Sequence, residues 1–159
     1  MKSFKTFCIG AVASIALAGG ASAQTFSPEG PHTLNGTVTV SKGITLTCTM
    51  SGTGTVSGGT ATITGLSLSG GMLGLCGSIT FSGLPYAVTS ASTSSITIVD
   101  VRAVGVTGNC RGNLTGSFNQ STGQITFNNA TIPSDPAGGA PCVVNGTVST
   151  SPAISFTIP

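Results

Sequence analysis

The sequence predicts an all-β domain, an antiparallel sandwich or Greek-key barrel closed by disulfides. Three observations carry that prediction. Apolar residues alternate with Thr and Ser at period two along much of the chain, as half-buried strands require. Gly-rich turn signals separate these runs at intervals of about ten residues. No window after residue 23 shows a helical repeat.

Taken in order, the first strand run holds Val38 and Val40, and the alternation resumes beyond Lys42-Gly43 with Ile44, Leu46 and Cys48. It returns over residues 63–68, 79–81, 96–98 and 125–127, and again at Ile154, Phe156 and Ile158. Thr is β-branched and fits a pleated surface, so a Thr-rich face favours strands without help from charge. Turn signals stand at Asn35-Gly36, Lys42-Gly43, Ser57-Gly58-Gly59, Gly70-Gly71, Thr107-Gly108-Asn109 and Ser121-Thr122-Gly123. Residues 24–33, with Ser27-Pro28-Glu29-Gly30-Pro31-His32, read as an extended or loose N-terminal segment, and residues 133–141 as a surface loop. Residues 116–132 combine β-formers, amides and two Phe without charge, a composition shared with steric zippers. The Ser-Thr-Gly turn in their middle favours a plain hairpin with Phe118, Ile125 and Phe127 inward.

Residues 1–23 read as a cleaved secretory signal peptide. Lys2 and Lys5 precede an apolar core over residues 7–17, and Ala21-Ser22-Ala23 forms a small-residue cleavage site before Gln24. That core is too short to span a bilayer, which takes about 20 apolar residues, and Gly10 and Ser14 interrupt it. Residues 24–159 are then one exported domain, secreted or held at a bacterial cell surface by way of the periplasm, with no membrane span. The formal charge of the whole chain is +2. Without Lys2 and Lys5 the charges are Lys42, Arg102 and Arg111 against Glu29, Asp100 and Asp135, which cancel. Gly, Ser and Thr supply nearly half of the remaining residues. A neutral hydroxyl surface promotes association, so the expected partners are copies of the chain, hydrocarbon or a matrix polysaccharide.

Four cysteines follow the leader: Cys48, Cys76, Cys110 and Cys142. An even number in an exported chain implies two disulfides, with three connectivities open. A faint internal echo favours one of them. From Cys48 the chain passes Gly54 and Ile63 to Cys76, and from Cys110 it passes Gly116 and Ile125 to Cys142. Each half closing its own loop gives Cys48–Cys76 and Cys110–Cys142. No cysteine pair has zinc-knuckle spacing and no cofactor is expected.

Acid–base chemistry would have to use His32, Tyr86 and three carboxylates. His32 reads as a solvated loop residue, which predicts little change in stability between about pH 5 and 9. Lys42 reads as a charge at a turn rather than a crosslinking amine, and Arg102 and Arg111 as solvated edge charges. There is no Gly-x-Ser-x-Gly elbow, phosphate loop or calcium-type carboxylate cluster. Three cations make no nucleic-acid patch. The chain reads as a non-enzyme.

Several segments together resemble the bacterial PraB family, named for protein activator of alkane oxidation. They are Met1-Lys-Ser-Phe-Lys-Thr-Phe-Cys8, Thr25-Phe-Ser-Pro-Glu-Gly-Pro-His-Thr33, Gly43-Ile-Thr-Leu-Thr-Cys48, Cys76-Gly-Ser-Ile-Thr-Phe81, Leu84-Pro-Tyr86, Thr107-Gly-Asn-Cys110 and Pro141-Cys-Val-Val-Asn-Gly-Thr147. The resemblance covers essentially the whole chain. It implies an exported bacterial protein that assists growth on long alkanes, with relatives tied to cell surfaces and biofilm matrix, and it brings no catalytic motif.

Two functional readings follow. The first is a non-enzymatic extracellular structural or adhesive component of a surface or biofilm matrix. Its expected self-association site is the stretch over residues 34–40, with Leu34, Val38 and Val40, which a loose lead-in would let reach a neighbour's sheet edge. The alternative is a binding module for alkane or another apolar ligand. A cavity needs apolar lining beyond an ordinary core, and seven Phe, two of them in the leader, leave little aromatic surface for it.

Overall fold

Alternation at period two leaves each strand with one apolar and one hydroxyl face, and the chain buries the apolar face by curling the sheet into a closed wall. The structure is a computed structural model that describes residues 24–159; the leader expected over residues 1–23 lies outside the described residues. Twelve strands appear: β1 (Thr25–Ser27), β2 (Gly30–Lys42), β3 (Ile44–Ser57), β4 (Thr60–Ser69), β5 (Thr80–Phe81), β6 (Tyr86–Thr89), β7 (Ser95–Gly105), β8 (Gly108–Asn119), β9 (Gln124–Ile132), β10 (Ser134–Asp135), β11 (Cys142–Ser151) and β12 (Ser155–Thr157). A short 3-10 segment spans Met72–Ser78.

The wall runs β2-β3-β4-β6-β7-β8-β9-β11, and β11 pairs back onto β2, so an eight-stranded antiparallel barrel closes. Of the two architectures expected, the barrel is the one found, and its strands follow one another up and down. Each wall strand pairs with the next one in chain order, so no connection makes a Greek-key crossing. The β2–β3 and β7–β8 turns, the Met72–Ser78 segment and residues 136–141 lie at one end, here called upper. The β3–β4 and β8–β9 turns lie at the lower end, together with the two-stranded sheet of β1 and β12.

Inside the wall, Leu34, Val38, Leu46, Met50, Ile63, Ile98, Leu114, Phe127 and Val148 are buried. Outside it, hydroxyls stand opposite one another from strand to strand. Ser117 faces Thr126, which faces Thr147, then Thr37, Thr49 and Ser69. Neighbouring hydroxyls bond across strands, as in Thr97–Thr115 at 2.8 Å and Thr53–Thr64 at 3.1 Å. Such cross-strand pairs each contribute a few tenths of a kcal/mol up to about 1. A barrel whose outer wall meets lipid has the opposite pattern, apolar outward.

Asn35-Gly36, expected as a turn, lies within β2 instead. A glycine signal serves a turn and a close backbone approach equally well, and here it serves the approach. A Cβ at Gly36 would strike the Thr147 carbonyl, and one at Gly146, where φ is 127°, would strike that of Thr37. The two glycines let β2 and β11 draw together beside a bulge in β9, which carries an extra residue between Phe127 and Ala130 opposite Val144 and Gly146.

Two further expectations are corrected. Residues 24–33 are not loose, because burial of Phe26 anchors them. Its ring lies 5.1 Å from that of Phe156, which stacks at 5.1 Å on Phe118, and such ring pairs contribute roughly 0.5–1.5 kcal/mol beyond their burial. The Glu29 carboxylate accepts the amides of Gly58 and Gly59 at 3.1 and 2.8 Å. His32 is not a solvated loop residue: it is 5 % exposed in β2, with Nδ1 and Nε2 each 2.9 Å from a carbonyl, of Pro152 and Pro28.

Nor is the stretch carrying Leu34, Val38 and Val40 a free edge. Leu34 and Val38 are buried and Val40 half-buried, and β2 is paired along its length, to β3 on one side and β11 on the other. Residues 116–132 form the expected hairpin, with Phe118 opposite Ile125 and both buried with Phe127. We expect Gly146→Ala to destabilise the fold by about 1–3 kcal/mol in urea, as overpacking does. Thr126→Ala on the outer wall should stay within about 0.5 kcal/mol. Equal effects from the two would refute the close-approach role of Gly146.

Candidate functional site at the upper end of the barrel

β6 is too short to fill the wall between its neighbours. It pairs with β4 only over Ala61–Ile63 and with β7 only at Thr97 and Ile98. Above it, residues 70–85 fill the opening as a strap, with Leu75, Ile79, Phe81 and Leu84 half-buried against the core and β5 laid along the upper part of β7. Tyr86 ends the strap: its hydroxyl donates to the Ser82 carbonyl at 2.7 Å and accepts the Arg102 amide at 3.2 Å. Burial raises its pKa above the ordinary phenol value.

Cys76, fully buried in the strap, is bonded to Cys48 of β3. The second disulfide joins Cys110 of β8 to Cys142 of β11 across the top of β9. The pairing is the one expected from the half-by-half spacing. The structure adds that both bonds stand at the upper end, framing one opening.

Beneath that frame lies a cavity of about 90 Å³. Leu46, Met50, Leu68, Leu114 and Phe127 line it, and it reaches Lys42, Ile44, Val106 and Gly108 at the hairpin tips. A smaller space of about 30 Å³ lies towards His32 and the lower plug. Leu34, Ile63, Ile98 and Ile125 border both spaces and form a waist between them. The large apolar residues exposed among the described residues are Ile44, Met72, Leu73, Val104 and Val106, and all five stand around the upper opening. Leu73 is 94 % exposed and has φ 54°, a left-handed conformation that costs a leucine about 1–2 kcal/mol. Sequence reasoning missed this rim. Its signal was there: apolar residues set inside Gly-rich turns, in Gly70-Gly71-Met72-Leu73-Gly74 and Gly105-Val106-Thr107-Gly108.

Lys42 proves to be more than a turn charge. Its Nζ donates to the Ala140 carbonyl at 2.6 Å and to Ser134 Oγ at 3.0 Å, fastening residues 134–140 beside the opening, and lies 3.6 Å from Cys110 Sγ. Arg102 and Arg111, expected as solvated charges, converge on Asp100 at 2.7 and 2.8 Å on the outer wall. Asp100 sits at the β7 bulge with φ 52°, its amide donating to Asn113 Oδ1 at 3.1 Å. The hydrogen bonds from Arg111 and then Arg102 hold its carboxyl at a pKa of about 2.

The family model described as "Alkane oxidation protein activator PraA/PraB-like" matches residues 1–158. No curated protein and no solved structure matches the chain.

Asp100 binds its proton less readily folded than unfolded, where an aspartate has a pKa of about 3.9. Its contribution to stability is therefore complete above about pH 5 and lost as pH falls towards 2. Asp100→Asn should remove this part of the acid sensitivity, seen as a smaller drop in the urea midpoint between mildly and strongly acidic buffer. An unchanged drop would show that the pairs contribute nothing. Removing either disulfide as a double Cys→Ser variant should cost about 3–4 kcal/mol, the loop-entropy value for closures of this length, measured by reversible denaturation.

Proposed function

We propose that this chain, which belongs to the alkane oxidation protein activator PraA/PraB-like family, acts by binding the end of an apolar chain such as an n-alkane. The observation that carries the reading is a coincidence of place. An aliphatic lumen reaches the same end of the barrel where every large exposed apolar residue among the described residues gathers. Small eight-stranded barrels either fill their interior or hold one small ligand, and this one leaves space. The shortage of Phe is no obstacle, because Leu, Ile, Val and Met supply the lining.

The size of the space selects the shape of the ligand. Engineered apolar cavities of roughly 150 Å³ take up benzene, so about 90 Å³ suits a slim chain end better than a ring. Each buried methylene contributes about 0.8 kcal/mol. Millimolar affinity, about 4.1 kcal/mol, then asks for about five buried methylenes, which the lumen and its rim supply together. An activator that only presents substrate needs no catalytic groups. Export fits the same reading, since the two disulfides suit an oxidising compartment.

A second reading, a structural or adhesive component of an extracellular matrix, is favoured by the neutral hydroxyl wall, which suits a polysaccharide or another copy of the chain. Association would then run face to face through side chains, since β2 is already paired on both sides. Concentration-dependent sedimentation that chain ligands leave untouched would favour this second reading.

For the first reading, calorimetric titration with short linear alkanols should show affinity rising about fourfold per methylene, then levelling once the lumen is full. A ring of equal carbon number should bind more weakly. Absence of saturable binding, or indifference to ring against chain, would sink the proposal. Leu73→Asn, which tolerates the left-handed backbone, should weaken binding while leaving the fold at least as stable.

A further inference from the structure

The lining of the lumen is mostly apolar and carries a charge at one place, its mouth. Lys42 lies at its edge, with its stem packed so closely over Gly108 that a Cβ there would come within 2.8 Å of the lysine Cε. The ammonium is held by neutral groups alone: the Ala140 carbonyl, Ser134 Oγ and, at 3.6 Å, the sulfur of Cys110. A disulfide sulfur is a weak acceptor, so the third N–H is the one most easily redirected. Among the described residues no carboxylate lies within 4.0 Å of the ammonium, and the ion pairs at that range are those of Asp100 with Arg102 and Arg111. Glu29 is engaged with the lower β3–β4 turn, and the charge of Asp135 acts on Arg111.

A fixed ammonium at the rim of an apolar hole is complementary to an anionic group on an apolar chain. We propose that the preferred ligand is an alkyl chain ending in a carboxylate, its tail in the lumen and its head on Lys42 Nζ. This rests on the chain-binding reading above and refines it. Charge-assisted hydrogen bonds are shorter and roughly twice as strong as neutral ones, and the apolar surroundings weaken competition from water. A fatty carboxylate is also what terminal oxidation of an alkane yields, so the barrel would take the product of that class of reaction ahead of its starting material.

Octanoate and 1-octanol share a tail and differ in the head, so titrating both at neutral pH separates the two claims. The wild-type protein should bind octanoate about tenfold more tightly than 1-octanol. Lys42→Met should abolish that preference, so that octanoate and 1-octanol bind about equally, and an unchanged circular-dichroism spectrum reports that the variant is folded. Lys42→Arg should restore the preference in part. A wild-type protein without preference, or a Lys42→Met variant that keeps it, overturns the head-group assignment while the lumen reading stands. Failure of the wild-type protein to bind either ligand overturns both.

Discussion

The closure of β11 onto β2 is the constraint on which the remaining structure depends. A strand sheet with one apolar face has to cover it, and with no α-helix packed on the wall among the described residues the sheet does so by meeting its own far edge. Val143 to Ser151 zip against Thr33 to Ser41 over nine residue pairs, and Gly36 and Gly146 let the backbones approach without a side-chain clash. Closure also removes the edges that an uncharged sheet would otherwise expose to other chains. With Lys42 the one lysine among the described residues, closure rather than charge protects the edges of this sheet.

Closure fixes inside and outside but leaves two ends, and the chain treats them differently. The lower end is plugged by its own termini. β1 and β12 bring Phe26 and Phe156 together on Phe118, Gln120 bonds the backbone of Phe156 through both amide atoms at 2.9 Å, and His32 ties the two terminal segments through Pro28 and Pro152. At the upper end the strap of residues 70–85 packs on the core, and among the described residues no ring stack like the lower one stands there. That end is held at its perimeter, by two disulfides and the Lys42 contacts, and its turns show Met72, Leu73 and Val106 to solvent. Exposed apolar turn residues and a left-handed leucine both work against stability. Their concentration at the upper end supports the binding role proposed above.

The polar sites divide in the same way. Asp100, Arg102 and Arg111 form a compact group on the outer wall, where partial exposure limits what ion pairs add. They close a bulge in β7 and lie outside the lumen. Lys42 is different because its neighbours are carbonyl, hydroxyl and sulfur, and because its stem borders the apolar space.

Much of this was legible in the chain and some was not, and the division follows the range of the forces involved. Val38, Val40, Leu46 and Cys48 alternate with hydroxyl residues because period two is a property of a single extended backbone; strand class, most turns and the 116–132 hairpin were readable from neighbours alone. The cysteine pairing was readable because each bond closes within its own half. Asn35-Gly36 misled because a glycine looks the same whether it makes a turn or admits a neighbouring strand, and only the position of β11 decides which. His32 misled because its burial depends on Pro152, which is 120 residues away in the chain. The mouth was unreadable for the same reason: Ile44, Leu73 and Val106 lie in three separate turns, and nothing local says that those turns share an end. The sequence by itself determined strands, a hydroxyl exterior and the scarcity of charge. Tertiary structure alone decided that the wall closes, which end stays open, and that Lys42 stands beside it, because those depend on which distant edges meet.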